Sequence, residues 1–298
     1  MRFLFVDRIL QLTPTKFIRG LKHITRDDPY LCFDDRGKLC FVSSFIGETL
    51  GQLAAWNVMF SNDFTKRPVA GIASSACIKR AAYVGETLLL ESFIDVLDDS
   101  MVQYHSVARI ADEVVFTLDG ALGPLLPMED FIDPALVRRQ FAEIDRPGEW
   151  PPAGLPVGQF REELMAQPVL PIHPMLFDRI VDSEPGVHMC AEKRVSRAAS
   201  YFADHFPNKP VLPMTVLLEC KLNLAREFVA RANYAYQYRV SEVRRVKMKD
   251  FISPGDVVVC YLVVKRQDAE QLVLGFRSEV DGKRVCMLDV VMTAESIR

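Results

Sequence analysis

Hydrophobic and polar positions along this chain fall into two successive blocks that run through the same rhythms in the same order. In the first, an extended stretch at about 16–25 leads to a window at 44–60 that is apolar nearly all round. Period-two runs follow at 71–80, 86–96, 102–110 and 113–121. In the second block the stretch at 187–196, the apolar window at 215–232 and the runs at 236–249, 256–266, 271–280 and 284–293 repeat that order. Each apolar window predicts one long helix, with Ser44 and Thr215 standing where an N-cap hydroxyl would take the first free amides. The alternating runs predict antiparallel strands that turn at Gly85, at Pro254-Gly255 and at Asp281-Gly282. One helix against a long antiparallel sheet, present twice, is an α+β layout.

The repetition also holds residue by residue. Phe5-Val6-Asp7-Arg8-Ile9 recurs as Phe177-Asp178-Arg179-Ile180, with Asp7 and Asp178 offset by 171. Tyr30 and Tyr201, Ser44 and Thr215, and Glu48 and Glu219 share that offset. Further on the offset becomes 170, matching Lys79 to Lys249, Gly85 to Gly255 and Asp119 to Asp289. One register over about 110 residues with a single slip predicts a duplicated unit: a first repeat at 1–123, a second at 169–298, and a proline-rich linker at 124–168 with a short helix from Pro134 to Glu143. The linker would hold the copies side by side as an intramolecular pseudo-dimer, with further homo-oligomerisation left open.

Length and composition suit this picture. The 298 residues fit two domains of ordinary size, and 49% hydrophobic with 25% charged residues is enough to build a core. A net charge of −3 without a concentrated basic face argues against nucleic-acid binding. Seven scattered cysteines with no C-x-x-C pair predict reduced structural thiols in a cytoplasmic protein, and no Cys or His pair has metal-ligand spacing. Asp7 interrupts the N-terminal apolar stretch too early for a signal peptide, and no apolar run reaches membrane-spanning length. The absence of G-x-G-x-x-G, P-loop and G-x-S-x-G patterns leaves no seat for a nucleotide cofactor and no serine elbow. No cofactor is expected.

Two residues stand out chemically. Glu48 is the only charge between Leu39 and Asn62, and a lone carboxyl on an apolar helix needs a partner or a raised pKa. Gln52, one turn on, can hold it; a solvent-edge carboxylate is the plain alternative. His205 lies on a loop fixed by Pro207, Pro210 and Pro213 that leads into the second helix, whose first amides are free for a developing oxyanion. An ordinary surface histidine is its plain alternative. His23, His105 and His188 lie in strand-like runs and His173 in a leading segment, so none of the four is a strong candidate.

At these residues the chain resembles the hotdog-fold β-hydroxyacyl-acyl-carrier-protein dehydratases of fatty-acid and polyketide synthesis. That family carries a Val-Asp-Arg-Ile segment, then Gly-His-Phe-Pro-Gly-x-Pro-Val-x-Pro-Gly, then Glu-Ala-x-x-Gln on a central helix. Here these are Leu176-Phe177-Asp178-Arg179-Ile180, the loop from Asp204 through His205 to Met214, and Glu219 with Asn223 in the glutamine's place. The first copy keeps Phe5 to Ile9 and Glu48 with Gln52, but has Asp34 where the histidine would align. Asn208 and Met214 replace loop glycines.

The resemblance implies a double hotdog in which the duplicated chain supplies both halves of a dimer. In the family each site takes His from one subunit and Glu from the other, so His205 would meet Glu48 in one working site. Glu219 and Asp34 would form a second, degenerate pocket. His205 would remove the α-proton of a 3-hydroxyacyl thioester and Glu48 would protonate the departing hydroxyl. Gln52 would position Glu48, and Pro213 and the Met214 amide would bind the thioester. The acyl chain would lie in an apolar tunnel between the central helices. The implied substrate is carried by an acidic acyl carrier protein or by coenzyme A, and Arg244, Arg245, Lys247 and Lys249 are candidates for a basic rim, or equally for an exposed strand face. A hotdog thioesterase, another acyl-thioester enzyme and a non-catalytic carrier-binding module remain alternatives.

Overall fold

The computed structural model describes residues 3–34, 36–150 and 175–295. The proline-rich part of the linker and His173 therefore lie outside the described residues. In the first half, strands β1 (Arg8–Thr13), β2 (Phe17–His23), β3 (Leu31–Phe33) and β4 (Leu39–Phe41) precede helix α1 (Ser43–Ser61). After it come β5 (Lys66–Pro68), β6 (Ile72–Ile78), β7 (Ala82–Tyr83), β8 (Thr87–Leu97), β9 (Met101–Ile110) and β10 (Glu113–Pro127). Helix α2 (Pro134–Ile144) follows, started by Pro134 and by an Asp133 side chain that accepts from the Ala135 amide. The second half holds β11 (Arg179–Glu184), β12 (His188–Arg194), α3 (Met214–Ala232), β13 (Gln237–Met248), β14 (Val257–Gln267), β15 (Gln271–Val280) and β16 (Lys283–Glu295).

These strands form one continuous antiparallel sheet in the order β1-β2-β8-β9-β10-β6-β13-β16-β15-β14-β12-β11, with β5 attached to β10. Read from either end, the order is the same in repeat terms. The sheet is two copies joined at β6 and β13. There Ala76 faces Val243 and Ala73 faces Val246, and a 170-residue offset turns each pair into the other. Such a self-matching seam is what a two-fold axis demands. Each half of the sheet wraps a helix apolar enough to be buried on most sides; Phe45, Ile46, Leu50 and Leu53 of α1 are fully buried. The result is the α+β layout that the sequence pattern predicts, arranged as the double hotdog that the resemblance implies.

The helix starts differ from expectation. The N-caps are Val42 and Pro213, neither with a capping side chain, and Ser44 and Thr215 lie inside the first turns. Thr215 spends its hydroxyl on the other repeat's carboxyl group, which leaves the leading amides of α3 without a side-chain acceptor.

Lys221 of α3 is fully buried, and its Nζ donates to Cys286 Sγ at 3.0 Å. Thiol sulfur is a weak acceptor, so this amine is poorly compensated for lost hydration. Lys221→Met keeps the volume and removes the polar tip. It is expected to stabilise the fold by about 1–3 kcal/mol, read as a rise of several degrees in the thermal midpoint by circular dichroism. A fall in midpoint would show that the amine is better satisfied than its thiol contact implies.

Candidate active site

Glu48 projects from the second turn of α1. Gln52 Nε2 donates to Glu48 Oε1 at 3.0 Å, and Thr215 Oγ1 donates to Oε2 at 2.8 Å from the opposite repeat. Gln52 is itself anchored, accepting from the Phe5 amide at 2.9 Å and donating to the Phe3 carbonyl at 3.2 Å. Burial pushes the Glu48 carboxyl above its ordinary range; its two donors and the cation of Arg67 offset only part of that.

His205 sits on the loop before α3. The Val211 carbonyl accepts from Nδ1 at 2.8 Å, and because a carbonyl can only accept, the neutral ring keeps its lone pair on Nε2. Burial pushes the imidazole down to about 4, with the Val211 carbonyl opposing the shift and Arg67 adding to it. Asn208, in a family glycine position, ties this loop to the first half. Its amide donates to the Phe131 carbonyl at 2.9 Å and its side chain to the Glu129 carbonyl at 3.0 Å.

Both side chains line one cavity of about 560 Å³, within the range of small-molecule sites. Its walls are mainly apolar and come from both repeats. Gln52, Met214 and Thr215 border it near Glu48 and His205, and Lys247 and Lys249 lie on its wall as well. From Gly47 to Met59 it follows α1 for about 18 Å at the ~1.5 Å rise of a helix. Trp56, Met59, Ile132, Val137 and Gln140 also line it, so α2 contributes to the wall.

Other expected residues fall elsewhere. Pro213 is the residue before the first turn of α3. Arg244 pairs with Glu242 at 2.6 Å and Arg245 pairs with Asp289. Asp34 and Glu219, expected to share a second pocket, are each held by other groups. The Asp34 carboxylate accepts from Tyr83 Oη at 2.9 Å and from the Arg36 and Lys38 amides at 3.0 and 2.7 Å. Burial would raise its pKa, but these donors outweigh that and hold it below its usual range. Glu219 Oε1 accepts from Arg226 at 3.2 Å, and Asn223 turns its amide to the Met175 carbonyl at 2.8 Å. Ser44 Oγ and Glu219 Oε2, which mirror Thr215 and Glu48, are buried without hydrogen-bond partners. His23 contacts Thr87 at 2.9 Å, while His105 and His188 each contact an aspartate at 2.8 Å. Among the described residues no cluster of three potential ligands could hold a metal ion, and no helix is long and apolar enough to cross a membrane.

Sequence reasoning missed two features. One is Arg67 on β5, which lines the same cavity. The other is why a cavity runs beside α1: at an offset of 171, Gly51 and Ala55 correspond to Leu222 and Arg226. Small residues leave space along α1; on α3 the larger Leu222 is fully buried, while Arg226 reaches Glu219 from a half-exposed position. Comparing the two apolar windows by side-chain volume would have found this.

The signature of the ApeI-like family, described as ApeI dehydratase, matches residues 182–288. Over 129 residues the chain is 30% identical to the 3-hydroxyacyl-acyl-carrier-protein dehydratase FabZ of Nitrosomonas europaea, covering 41% of this chain and 84% of that protein. The enzyme of the same description from Pseudoalteromonas translucida is 27% identical over 124 residues, covering 40% and 83%. Among solved structures, the dehydratase domain of the polyketide PpsC from Mycobacterium tuberculosis superposes with a TM-score of 0.55 at 12% identity over 98% of both chains. An acyl-ACP thioesterase from Bacteroides thetaiotaomicron gives a TM-score of 0.55 at 10% identity, over 93% of this chain and 97% of its own. These structural likenesses extend over both repeats and show the fold alone.

Proposed function

The chain belongs to the hotdog-fold 3-hydroxyacyl-acyl-carrier-protein dehydratase family, and on that premise we propose that it eliminates water from a 3-hydroxyacyl thioester at a single composite site. The observation that carries this reading is one apolar cavity lined by both His205 of the second repeat and Glu48 of the first, with Thr215 bonded across to Glu48. His205 Nε2 takes the α-proton, the C–H electrons form the Cα=Cβ bond, and the Cβ–O bond breaks. Glu48 gives its proton to the departing hydroxyl, which leaves as water. Both roles need uncharged groups at the start: a neutral imidazole, favoured by its lowered pKa, and a protonated carboxyl, favoured by its raised one. Thr215 can reverse its hydroxyl to accept from the protonated form. The leading amides of α3, from Met214, which no side chain caps, would bind the thioester oxygen, and the apolar cavity along α1 would take the acyl chain. Lys247 and Lys249 would meet the phosphates of a carrier protein's pantetheine or of coenzyme A.

Incubation with 3-hydroxyacyl and with saturated acyl thioesters tests the reading. Enoyl thioester from the first and no thiol from the second is expected; free thiol from both would make the protein a thioesterase. Glu219→Ala is expected to keep dehydration within about threefold of the parent, since the site it would serve holds Asp34 in place of a histidine. Loss comparable to that of Glu48→Ala would overturn the single-site assignment.

A further inference from the structure

The reaction proposed above gives no task to Arg67, yet this residue lines the same cavity as Glu48 and His205. It pairs with Leu126 across β5 and β10, which fixes its backbone. Its guanidinium lies 3.8 Å from the ring centroid of Phe206, the neighbour of His205, and 5.7 Å from that of Phe131. Its Nε is buried without a hydrogen-bond partner. Desolvating a guanidinium without full compensation is costly, and the group does not readily discharge. Burial brings its pKa down to about 9, opposed by Glu48, so it stays charged near neutral pH. At an offset of 170 or 171 its counterpart is Gln237 or Tyr238, neither of them a cation. The charge therefore accompanies the site that has both His205 and Glu48.

We propose that Arg67 is a positioning residue of this site, a fixed positive pole against which Glu48 becomes a carboxylate as it hands its proton to the departing hydroxyl. The inference rests on the dehydratase reading. Arg67 acts on both reacting groups, lowering Glu48 and His205 together. The carboxylate left after proton donation gains a counter-charge, and the imidazole is kept uncharged until the α-proton arrives. Other titratable groups surround the pair. Tyr30 and Tyr104 act on or are acted on by Glu48, and burial raises both phenols. Asp204, beside His205, accepts from the Phe3 amide at 2.7 Å. Lys247, Lys249 and Asp250 lie on the cavity wall. All remain when Arg67 alone is changed, so a difference between variants reports Arg67.

Arg67→Met keeps an unbranched side chain and removes the charge; Arg67→Gln is a second neutral variant should the first fail to fold, and Arg67→Lys keeps the charge. In the neutral variants kcat is expected to fall about 10- to 100-fold with KM within about threefold. Without the nearby cation both groups protonate more easily. His205 is then lost as a base at higher pH and Glu48 stays protonated to higher pH, so both limbs of the pH–rate profile move upward by roughly one unit. Arg67→Lys should leave the limbs in place. Limbs unmoved in the neutral variants, or moved equally in the lysine variant, would overturn the proposal. A readout without turnover separates it from the dehydratase reading: the His205 imidazole, followed by NMR, should titrate at higher pH in Arg67→Met than in the parent. Equal titration sinks the role of Arg67 even if the enzyme dehydrates. A parent that forms no enoyl thioester sinks the dehydratase reading whatever the imidazole does.

Discussion

Replacing His205 by alanine, or Glu48 by alanine, is expected to lower kcat/KM for dehydration about 10³-fold, with the double variant losing little more. Positioned acid–base groups contribute roughly 10²–10⁴-fold each, and groups that act in one concerted step are strongly non-additive. Both side chains face an existing cavity, so truncation should leave the surrounding packing standing. Glu48→Gln is the sharper probe. It preserves the shape and much of the contact with Gln52 and Thr215 but cannot supply the proton, so its loss should approach that of the alanine variant. Enoyl thioester formation in steady state, with the thermal midpoint as a check on folding, measures all of these. Either alanine variant retaining a tenth of parental kcat/KM would mean that another group moves that proton.

Gly51→Leu is expected to cut kcat/KM for a long-chain 3-hydroxyacyl thioester about 100-fold while a short-chain thioester loses far less. A Cβ at Gly51 would come no closer than 3.5 Å to a neighbour, the Tyr104 Oη, so the backbone can accept the change. The rest of the leucine would occupy the cavity beside α1 that Gly51 lines, and the matched Leu222 of α3 is fully buried. Excluding three or four methylenes forfeits about 0.8 kcal/mol each, roughly 3 kcal/mol in all, and each 1.4 kcal/mol is about tenfold in affinity. Equal losses for short and long chains would show that the acyl group does not run along α1.

Much of this architecture is legible in one dimension because the signals are local or periodic. Alternation marks the faces of β8 to β10 and β14 to β16, and an apolar window marks each central helix. Short strands such as β3, β5 and β7 escaped because three or fewer residues carry no period. Both N-caps lie two positions before the hydroxyls expected to cap, at Val42 and Pro213; the Thr215 hydroxyl is committed to Glu48 of the other repeat, while Ser44 Oγ is buried without a partner. Asn208, a departure from the glycine pattern, proved to be a tether, which required knowing that the Glu129 to Phe131 segment lies beneath the loop.

By itself the sequence determined the repetition and the α+β layout of each copy, and it singled out a histidine and a lone carboxyl group as candidates for proton exchange. Those follow from side-chain period and residue type, which the linear order contains. Only the tertiary structure decided that Glu48 is held by Thr215 of the other repeat, that Glu219 is engaged by Arg226, and that Arg67 comes to the same cavity. Burial, dielectric environment and the direction of a hydrogen bond depend on which surfaces meet across the β6–β13 seam, and distances between atoms far apart in the chain exist only once it has folded.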